Sequence, residues 1–341
     1  MIEFDRGLTP SKNVGEPKAI PRPQSDVAGG PPRMAHQVQQ AIAEFEDPAV
    51  NVLLKHTGVL MQAREYRLAV NLLRNVLMRS ADHPEALLRM GLCFREESRY
   101  DEALKCFRAL VKTTRSLESQ ILVAETLYMG ERDQMALGAY REVLKNVVES
   151  QSQLFEIYKN VGNIHVRAGD YESAEEFYNK AYCINPASDV LMINYGTLEI
   201  QRENLGEAVE RFRKAVEINP ENDKAWVGLA IVHRQMGDAE LARANAERAL
   251  DINGTNRTAI RLAVEWGVQD GAFSMSILRL QDYLAVECED AEMSFMLAKI
   301  LTQVGRLSEA RLELERVLAL DPAIEGAENL TRALDKELAN R

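Results

Sequence analysis

The sequence lacks the motifs that mark the common classes of enzyme. It contains no phosphate-binding glycine loop, no GxSxG motif and no HExxH motif, and its five histidines are isolated from one another. Nucleotide-dependent, serine-hydrolase and zinc-protease chemistry all depend on such residues at fixed spacings. We therefore predict a protein that is not an enzyme and that carries no metal and no cofactor.

Signs of disulfides and of membrane insertion are also missing. The four cysteines are scattered without a CxxC pair, which predicts free thiols in a reducing compartment. No apolar run approaches the length of a membrane span, and the first residues lack the apolar segment of a signal peptide. We expect a cytoplasmic protein without direct insertion into a membrane, or one that is exported by a route the sequence does not show.

What the sequence does contain is a small residue that recurs at an interval of about 34 positions. No segment is rich in β-forming residues, and 46% of the chain is hydrophobic, which is enough to bury a long all-α core. Two helices cross closely only where neither carries a bulky side chain, so this spacing predicts stacked pairs of helices. The eight small residues are Ala69, Ala103, Ala136, Ala174, Ala208, Ala242, Ser276 and Ala310.

The same pattern returns around most of these residues. A second small residue lies twelve positions earlier, and a large apolar residue lies four positions later in most copies. The segment from Tyr158 to Pro186, YKNVGNIHVRAGDYESAEEFYNKAYCINP, shows the pattern in full. It resembles the tetratricopeptide repeat (TPR) family, over roughly residues 50 to 322. The resemblance implies an all-α superhelical solenoid of antiparallel helix pairs with a C-terminal capping helix.

The pattern divides the chain into four parts. We predict a disordered Pro/Gly-rich tail over 1–34, an N-terminal capping helix over 35–49, TPR repeats over 50–324 and a C-terminal capping helix over 325–341. The eight repeats are placed at 50–83, 84–116, 117–154, 155–188, 189–222, 223–256, 257–290 and 291–324.

Two of the predicted repeats depart from the pattern. The third carries about four extra residues around Val148 to Leu154, where the stack is expected to step or bend. The seventh matches least well, because Val264 and Gly267 stand where a small and a large residue are expected. Drift in a tolerant repeat and a local hinge or pocket are both compatible with that mismatch.

The N-terminal residues have two open interpretations. The segment PKAIPRP, from Pro17 to Pro23, has the composition of a docking motif for a polyproline-reading groove and also of a plain flexible tail. The predicted helix from about Met34 to Glu46 either caps the first repeat or serves as a detachable partner for the groove. Its apolar side carries Met34, Val38, Ala41, Ile42 and Phe45.

The resemblance also implies which residues contact a ligand. In TPR arrays the first helix of each pair lines the inner surface through its second, fifth, sixth, ninth and twelfth positions. Among these positions, repeats four to six carry Lys159, Asn163, Asn194, Lys224 and Arg234, and Arg261 in repeat seven continues the series. Such donors in a chain of net charge −11 suit an acidic peptide or a C-terminal carboxylate, and the acidic remainder disfavours nucleic acid. The alternative is a set of solvated charges on an exposed helix face.

Four of these residues also resemble the carboxylate clamp of co-chaperone TPR domains, which grips the acidic tail of heat-shock chaperones. Lys159 and Asn163 match the first lysine and asparagine of that clamp. Asn194 and Lys224 match its second asparagine and second lysine. Gly228 stands where the clamp has an arginine, and this breaks the pattern.

The corresponding positions of the first three repeats are apolar instead. They are Leu54, Leu88, Leu92 and Ile121, with Arg89 and Arg95 beside them. An apolar stripe of this kind predicts a site for an amphipathic helix or an extended apolar segment, or for the N-terminal helix of the protein itself.

Together these features predict a non-enzymatic protein–protein interaction adaptor or assembly scaffold that holds a partner segment in its concave groove. Two alternatives stay open: a co-chaperone that reads an acidic chaperone tail, and a structural TPR subunit of a larger transport or motility complex. The fold alone does not choose between them, because one fold serves many functions.

Overall fold

A computed structural model describes residues 47–146 and 150–339, and within these residues the chain forms seventeen α-helices and no β-strand. The predicted all-α class is confirmed. The tail predicted over 1–34 and most of the predicted N-terminal cap lie outside the described residues. The helices are α1 (Pro48–Gln62), α2 (Tyr66–Arg79), α3 (Pro84–Glu96), α4 (Tyr100–Thr114), α5 (Leu117–Met129), α6 (Asp133–Leu144), α7 (Gln151–Arg167), α8 (Tyr171–Ile184), α9 (Asp189–Gln201), α10 (Leu205–Ile218), α11 (Asp223–Gln235), α12 (Ala239–Ile252), α13 (Arg257–Gln269), α14 (Phe273–Val286), α15 (Ala291–Gln303), α16 (Leu307–Leu320) and α17 (Ala327–Ala339).

The chain divides into two compact units. Unit 1 ends at Ala174 and unit 2 begins at Glu175, so the division falls inside α8. In unit 1 a cluster of buried apolar side chains extends from Val50 to Leu110. In unit 2 the largest such cluster extends from Ile260 to Leu334. Each unit therefore has its own apolar core between stacked helices.

The eight small residues of the repeating pattern all lie on the second helix of a pair, and they are 0–2% exposed. Gly91 in α3 shows why the facing position is small as well. A Cβ atom added there would lie 2.7 Å from Cζ of Phe107 in α4. Carbon atoms that are not bonded prefer separations of about 3.5–4.0 Å, so no larger residue fits without a shift.

The two helices of each pair are joined by a tight turn with one residue in the left-handed region. Three of these turns are Gly-Asp or Gly-Arg pairs in the sequence, and they contain Gly169, Gly237 and Gly305 at φ angles of 76°, 86° and 80°. Glycine has no Cβ atom and adopts this conformation at no steric cost. The full set is Arg64, Ser98, Glu131, Gly169, Glu203, Gly237, Gly271 and Gly305.

The two irregular repeats have local explanations. Helix α7 is 17 residues long, and most other first helices have 13, so the extra residues add one turn at its N-terminus. Residues 147–149 lie outside the described part of the chain. In the seventh repeat Val264 is buried, and a Cβ atom on Gly267 would collide with Oγ of Ser276. The mismatch there is an exchange of a large and a small residue along one helix, α13, in which Gly267 leaves room for Ser276 of α14.

The last helix closes the stack in unit 2. Ala327 and Leu334 of α17 are buried in the same apolar cluster as α15 and α16. On the exposed side, Asp335 accepts a hydrogen bond from Nε of Arg311 at 2.6 Å. A helix with one apolar and one charged side is what a terminal cap requires, and the predicted C-terminal capping helix is confirmed for these residues.

A side chain caps the N-terminus of every first helix in the described chain. Seven of the caps are Asp, Ser or Asn, which are the residues that usually perform this role. The eighth is His83, which is 1% exposed, and its Nδ1 atom accepts a hydrogen bond from the N–H of Ala86 at 3.4 Å. Only the neutral imidazole has a lone pair that can accept this hydrogen bond.

We expect the unfolding free energy to fall as the pH is lowered below about 6.5, with His83 responsible for about 1 kcal/mol of the loss. Burial lowers the pKa of His83 from its ordinary 6.5, with the nearby Glu85 acting in the opposite direction and Arg89 in the same direction. Because the folded-state pKa is lowered, stability is complete above 6.5 and is lost as the pH falls towards the folded-state value.

The comparison of wild type with His83→Asn tests this expectation. Asparagine caps α11 and α13 in the same position and does not titrate. Urea unfolding at pH 8 and pH 5.5 is expected to show a smaller difference between the two pH values for the variant. Equal differences for both proteins would contradict the role of His83.

Candidate functional site

The inner face of each unit is defined here as the surface of its first helices that carries the predicted ligand-contacting positions. In unit 1 these helices are α1, α3, α5 and α7, and polar contacts join them in series. Nη1 of Arg89 donates to the carbonyl of Leu54 and to Oγ1 of Thr57. Nη1 of Arg95 donates to Glu125 at 3.2 Å, and Nδ2 of Asn163 donates to the hydroxyl of Tyr128 at 2.8 Å.

The four apolar residues predicted for this face are buried. Leu54, Leu88, Leu92 and Ile121 are 4–8% exposed, and the three leucines belong to the core of unit 1. The guanidinium of Arg89, which is paired with Glu85, hydrogen bonds to the α1 backbone at Leu54. The structure thus corrects the exposure expected for this stripe, because these side chains face the core rather than an open surface.

The two predicted clamp residues of unit 1 are already engaged within the protein. Nζ of Lys159 lies 2.6 Å from Oε2 of Glu156 and 5.5 Å from the centre of the Phe155 ring. Asn163 donates to Tyr128. A ligand carboxylate that bound Lys159 would have to compete with Glu156.

Two arginines near this face are also paired. Arg95 pairs with Glu125, and Arg167 pairs with Asp133 and lies over the ring of Tyr128 at 4.7 Å. Burial raises the pKa of Glu125, although the charge of Arg95 acts to lower it. Arg89, Arg95, Lys159 and Arg167 thus each have a carboxylate partner inside unit 1, and this reduces the positive field available to a ligand.

In unit 2 the inner face is formed by α9, α11, α13 and α15, and its cations are less fully paired. Arg234 and Arg261 share one carboxylate, with nitrogen–oxygen distances of 3.3 Å and 3.8 Å to Glu265. Arg234 also lies over the ring of Trp266 at 5.4 Å. Two guanidinium groups against one carboxylate leave a local excess of positive charge.

Lys224 and Asn194 complete the predicted set in unit 2. The half-buried Lys224 has no ion pair with any residue of the described chain. Nδ2 of Asn194 is buried and has no hydrogen-bond partner there either. An amide donor in this state is costly unless a ligand or water completes it.

Sequence reasoning missed one residue of this face, Lys299 in α15. It occupies the ninth position of its helix, is exposed, and its Nζ lies 4.2 Å from the centre of the Phe295 ring. No carboxylate pairs with it among residues 47–146 and 150–339. The same reading of inner positions, continued by one repeat beyond Arg261, would have found it.

The position of the clamp arginine is closed by the core of unit 2. A Cβ atom on Gly228 would lie 2.7 Å from Cζ of Phe212 and nearer still to Cε1 and Cδ1. On the other side of the same ring, a Cβ atom on Gly196 would also lie 2.7 Å from Cζ. Phe212 therefore fills the space between two glycines, and no side chain at 228 can project towards a ligand.

Neither metal-binding groups nor membrane spans are found in the described residues. No group of three or more His, Cys, Asp or Glu side chains there is arranged to hold a metal ion. None of the helices in that part of the chain has both the length and the apolar character needed to cross a bilayer. All four cysteines are free, with Cys93 and Cys106 buried and Cys183 and Cys288 exposed.

The chain is similar to solved structures of helical-repeat proteins. These include yeast Tom70, which gives a TM-score of 0.71 at 13% identity, with an alignment that covers 86% of this chain and 66% of that chain. The Cut9–Hcn1 hetero-tetramer of the APC/C gives a TM-score of 0.53 at 13% identity, over 87% of this chain and 58% of that chain. The type IV pilus biogenesis factor PilW gives a TM-score of 0.53 at 15% identity, over 62% of this chain and 96% of that chain. At these identities the likeness shows the fold alone.

Sequence comparisons give the family. No curated protein matches the chain. Two family models, both described as Tetratricopeptide repeat, match the chain. The first matches residues 60–125 and 199–264. The second matches residues 155–188 and 291–324. The matched segments together cover more than half of the chain, and they lie on the helix pairs described above. The chain therefore belongs to the tetratricopeptide repeat family.

Proposed function

We propose that this chain, which as a TPR protein is a scaffold for protein–protein interaction, binds an acidic segment of a partner through the inner face of unit 2. The observation that supports this is the difference in pairing between the two units. Near the inner face of unit 1, Arg89, Arg95, Lys159 and Arg167 each have their own carboxylate. Among the described residues on the inner face of unit 2, the four cations Lys224, Arg234, Arg261 and Lys299 outnumber the one carboxylate that pairs with any of them there, Glu265.

The preference for unit 2 follows from the free-energy cost of displacing a carboxylate that is already paired with a cation. A ligand carboxylate that binds Lys224 or Lys299 replaces water, whereas one that binds Lys159 must also displace Glu156. Arg234 and Arg261 add planar donors that suit a carboxylate, since Glu265 alone pairs with both. We identify the ligand as a peptide with several Asp or Glu residues or with a free C-terminal carboxylate.

Fluorescence anisotropy with labelled peptides tests the proposal on the full chain. The probes are an Asp/Glu-rich peptide with a free C-terminus, its amidated form and a form with every acid changed to its amide. We expect Lys224→Gln/Arg261→Gln to weaken binding of the acidic peptide at least tenfold, because charge-assisted hydrogen bonds contribute about 1.5–3 kcal/mol each. A higher salt concentration is also expected to weaken binding of the acidic peptide to the wild-type protein, because salt screens charge interactions.

A matched control removes the same number of charges elsewhere. Arg248→Gln/Lys336→Gln changes exposed residues of α12 and α17, and it should leave the affinity within about twofold. Equal losses in both double variants would mean that only net charge matters. Equal binding of the acidic and the amide-substituted peptides would reject an acidic ligand, and a comparable loss with Lys159→Gln would place the contact in unit 1.

The proposal does not extend to a co-chaperone clamp. That clamp needs an arginine at 228, where Phe212 leaves no room for a side chain. The non-enzymatic role and the cytoplasmic location stay predictions from the sequence.

A structural subunit is the second candidate function. Several large apolar residues on the second helices of unit 2 are exposed, among them Leu241, Met275, Leu278 and Leu312. Exposed apolar residues mark association with other proteins where they form one contiguous surface. If they do so here, the isolated protein should self-associate in light scattering, and Leu278→Glu/Leu312→Glu should abolish this without lowering the Tm. A protein that is monomeric at high concentration would argue against the candidate.

A further inference from the structure

The repeats provide an internal comparison for the first helix, α1. At the third and tenth positions of each repeat, both of which lie on its first helix, the side chains of all later repeats are 0–7% exposed, and so are those at the corresponding positions of α17. The residues are Ala86 and Cys93, Ser119 and Thr126, Ile157 and Ile164, Leu191 and Leu198, Ala225 and Val232, Ala259 and Trp266, Met293 and Ile300, and Ala327 and Leu334. These two positions therefore belong to the packed interior of the stack.

In α1 the same two positions are exposed and apolar. They are occupied by Val52 and Val59, which are 52% and 65% exposed. The two valines lie seven residues apart, two turns along one side of the helix. Val50 and Leu54 of the same helix are buried in the core of unit 1, so only this side of α1 is open.

The difference has a plain structural cause. In the later repeats a first helix contacts the second helix of the preceding pair, as α3 contacts α2, α5 contacts α4, and α11 contacts α10. Within the described residues no helix precedes α1. Its open side is therefore one half of an interface that the rest of the stack repeats.

We propose that residues 34–46 of the same chain form the missing helix and cover Val52 and Val59. The segment has apolar residues at helical spacing, namely Met34, Val38, Ala41, Ile42 and Phe45. Thirteen residues of helix extend for about 20 Å, which is enough to cover two valines about 10 Å apart along α1.

The connection to α1 selects this segment over a second copy of the protein. Asp47 caps α1 and Pro48 begins it, so the segment ends one residue before the helix that it would cover. Helices joined by so short a link pack as neighbours, and the link gives the segment a high effective concentration. With residues 34–46 in this place, they are not a detachable occupant of the inner face, and the stack is capped at both ends.

The test uses the full chain with charges introduced from either side of the proposed contact. Val52→Asp/Val59→Asp and Ile42→Asp/Phe45→Asp should each lower the Tm by roughly 5 °C, because each places carboxylates in an apolar interface. The two pairs combined should cost little more than one pair, since both break the same contact. Either variant should also expose residues 34–46 to limited proteolysis. Val286→Asp is the matched control, because Val286 is 65% exposed and lies outside this interface.

Each other outcome overturns the proposal. If the Val52/Val59 variant changes the Tm no more than Val286→Asp does, the side of α1 is open to water. If that variant dissociates a dimer seen by light scattering, while the Ile42/Phe45 variant has no effect, a second copy covers it. These results do not depend on the peptide binding proposed for unit 2, so the two proposals fail separately.

Discussion

Gly228→Arg is expected to destabilise the protein by roughly 3 kcal/mol rather than to complete a carboxylate clamp. The resemblance to co-chaperone domains suggests the opposite, because arginine is the clamp residue at this position. In the structure the Cβ atom alone would lie 2.7 Å from Cζ of Phe212, inside van der Waals contact. Phe212 is buried between α9 and α11 and cannot move aside without shifting a helix. Urea unfolding monitored by circular dichroism measures the loss.

Two further variants separate the clash from the change of residue. Gly206→Ala lies in α10, the helix of Phe212, with nothing within 4 Å of the added carbon, so it should leave stability unchanged or raise it slightly. Gly228→Ala alone should cost about 1–3 kcal/mol. In the Phe212→Leu background that cost should become smaller, because the smaller side chain makes room. A Gly228→Ala variant as stable as wild type would mean that the ring and the glycine do not face each other.

The architecture was predictable because its cause is local and periodic. A small residue every 34 or so positions is forced by helix crossing, and each such residue is buried. The role of Gly228 was not predictable in this way. A comparison with clamp domains presents it as a missing arginine, while the structure presents it as the space for Phe212. The same ring explains Gly196, so one aromatic residue fixes glycine in two helices.

The charged residues were placed on the right helices, but their pairing was not predictable. Arg95 pairs with Glu125 and Arg167 with Asp133, so each cation finds its carboxylate about one repeat away. Which of several neighbours a long side chain selects depends on its rotamer and on burial, and neither is fixed by spacing. For the same reason Lys159 looked free in the sequence, although Glu156 on its own helix neutralises it.

The seventh repeat carries a contact whose polarity is reversed from that of its neighbours. In the fifth repeat, Oδ2 of Asp189 accepts from Asn219 and Asn222 at 2.7 and 2.8 Å. In the sixth repeat, Asp223 accepts from Asn253 and Asn256 at the same distances. The seventh repeat instead begins with Arg257, which donates to both oxygens of Asp290 at 2.6 and 3.1 Å. The first residue of the repeat has become the donor and the last residue the acceptor.

Asp290→Ala is expected to cost about 2–3 kcal/mol, because Asp290 serves several groups at once. It caps α15 through the N–H of Met293 at 3.1 Å and accepts from the hydroxyl of Tyr283 at 2.9 Å, besides pairing with Arg257. Burial acts to raise the pKa of Asp290, but the hydrogen bonds from Arg257, Met293 and Tyr283 outweigh it, and the pKa lies below its ordinary 3.8. This contribution is therefore present above pH 4 or so and is lost as the pH falls through the lowered folded-state value.

The reversal also predicts that the loss of stability caused by replacing Arg257 can be partly recovered by changing its partners. Arg257→Asp alone should cost more than Arg257→Ala, because it brings a carboxylate next to Asp290. Adding Glu287→Asn and Asp290→Asn recreates the arrangement of the fifth and sixth repeats, in which an aspartate accepts from two asparagines and the second asparagine caps the next helix. The triple variant should recover at least about 1 kcal/mol of the loss, measured by urea unfolding. A triple variant less stable than Arg257→Asp alone would show that the contact depends on Arg257 itself, and that the seventh repeat is not interchangeable with its neighbours.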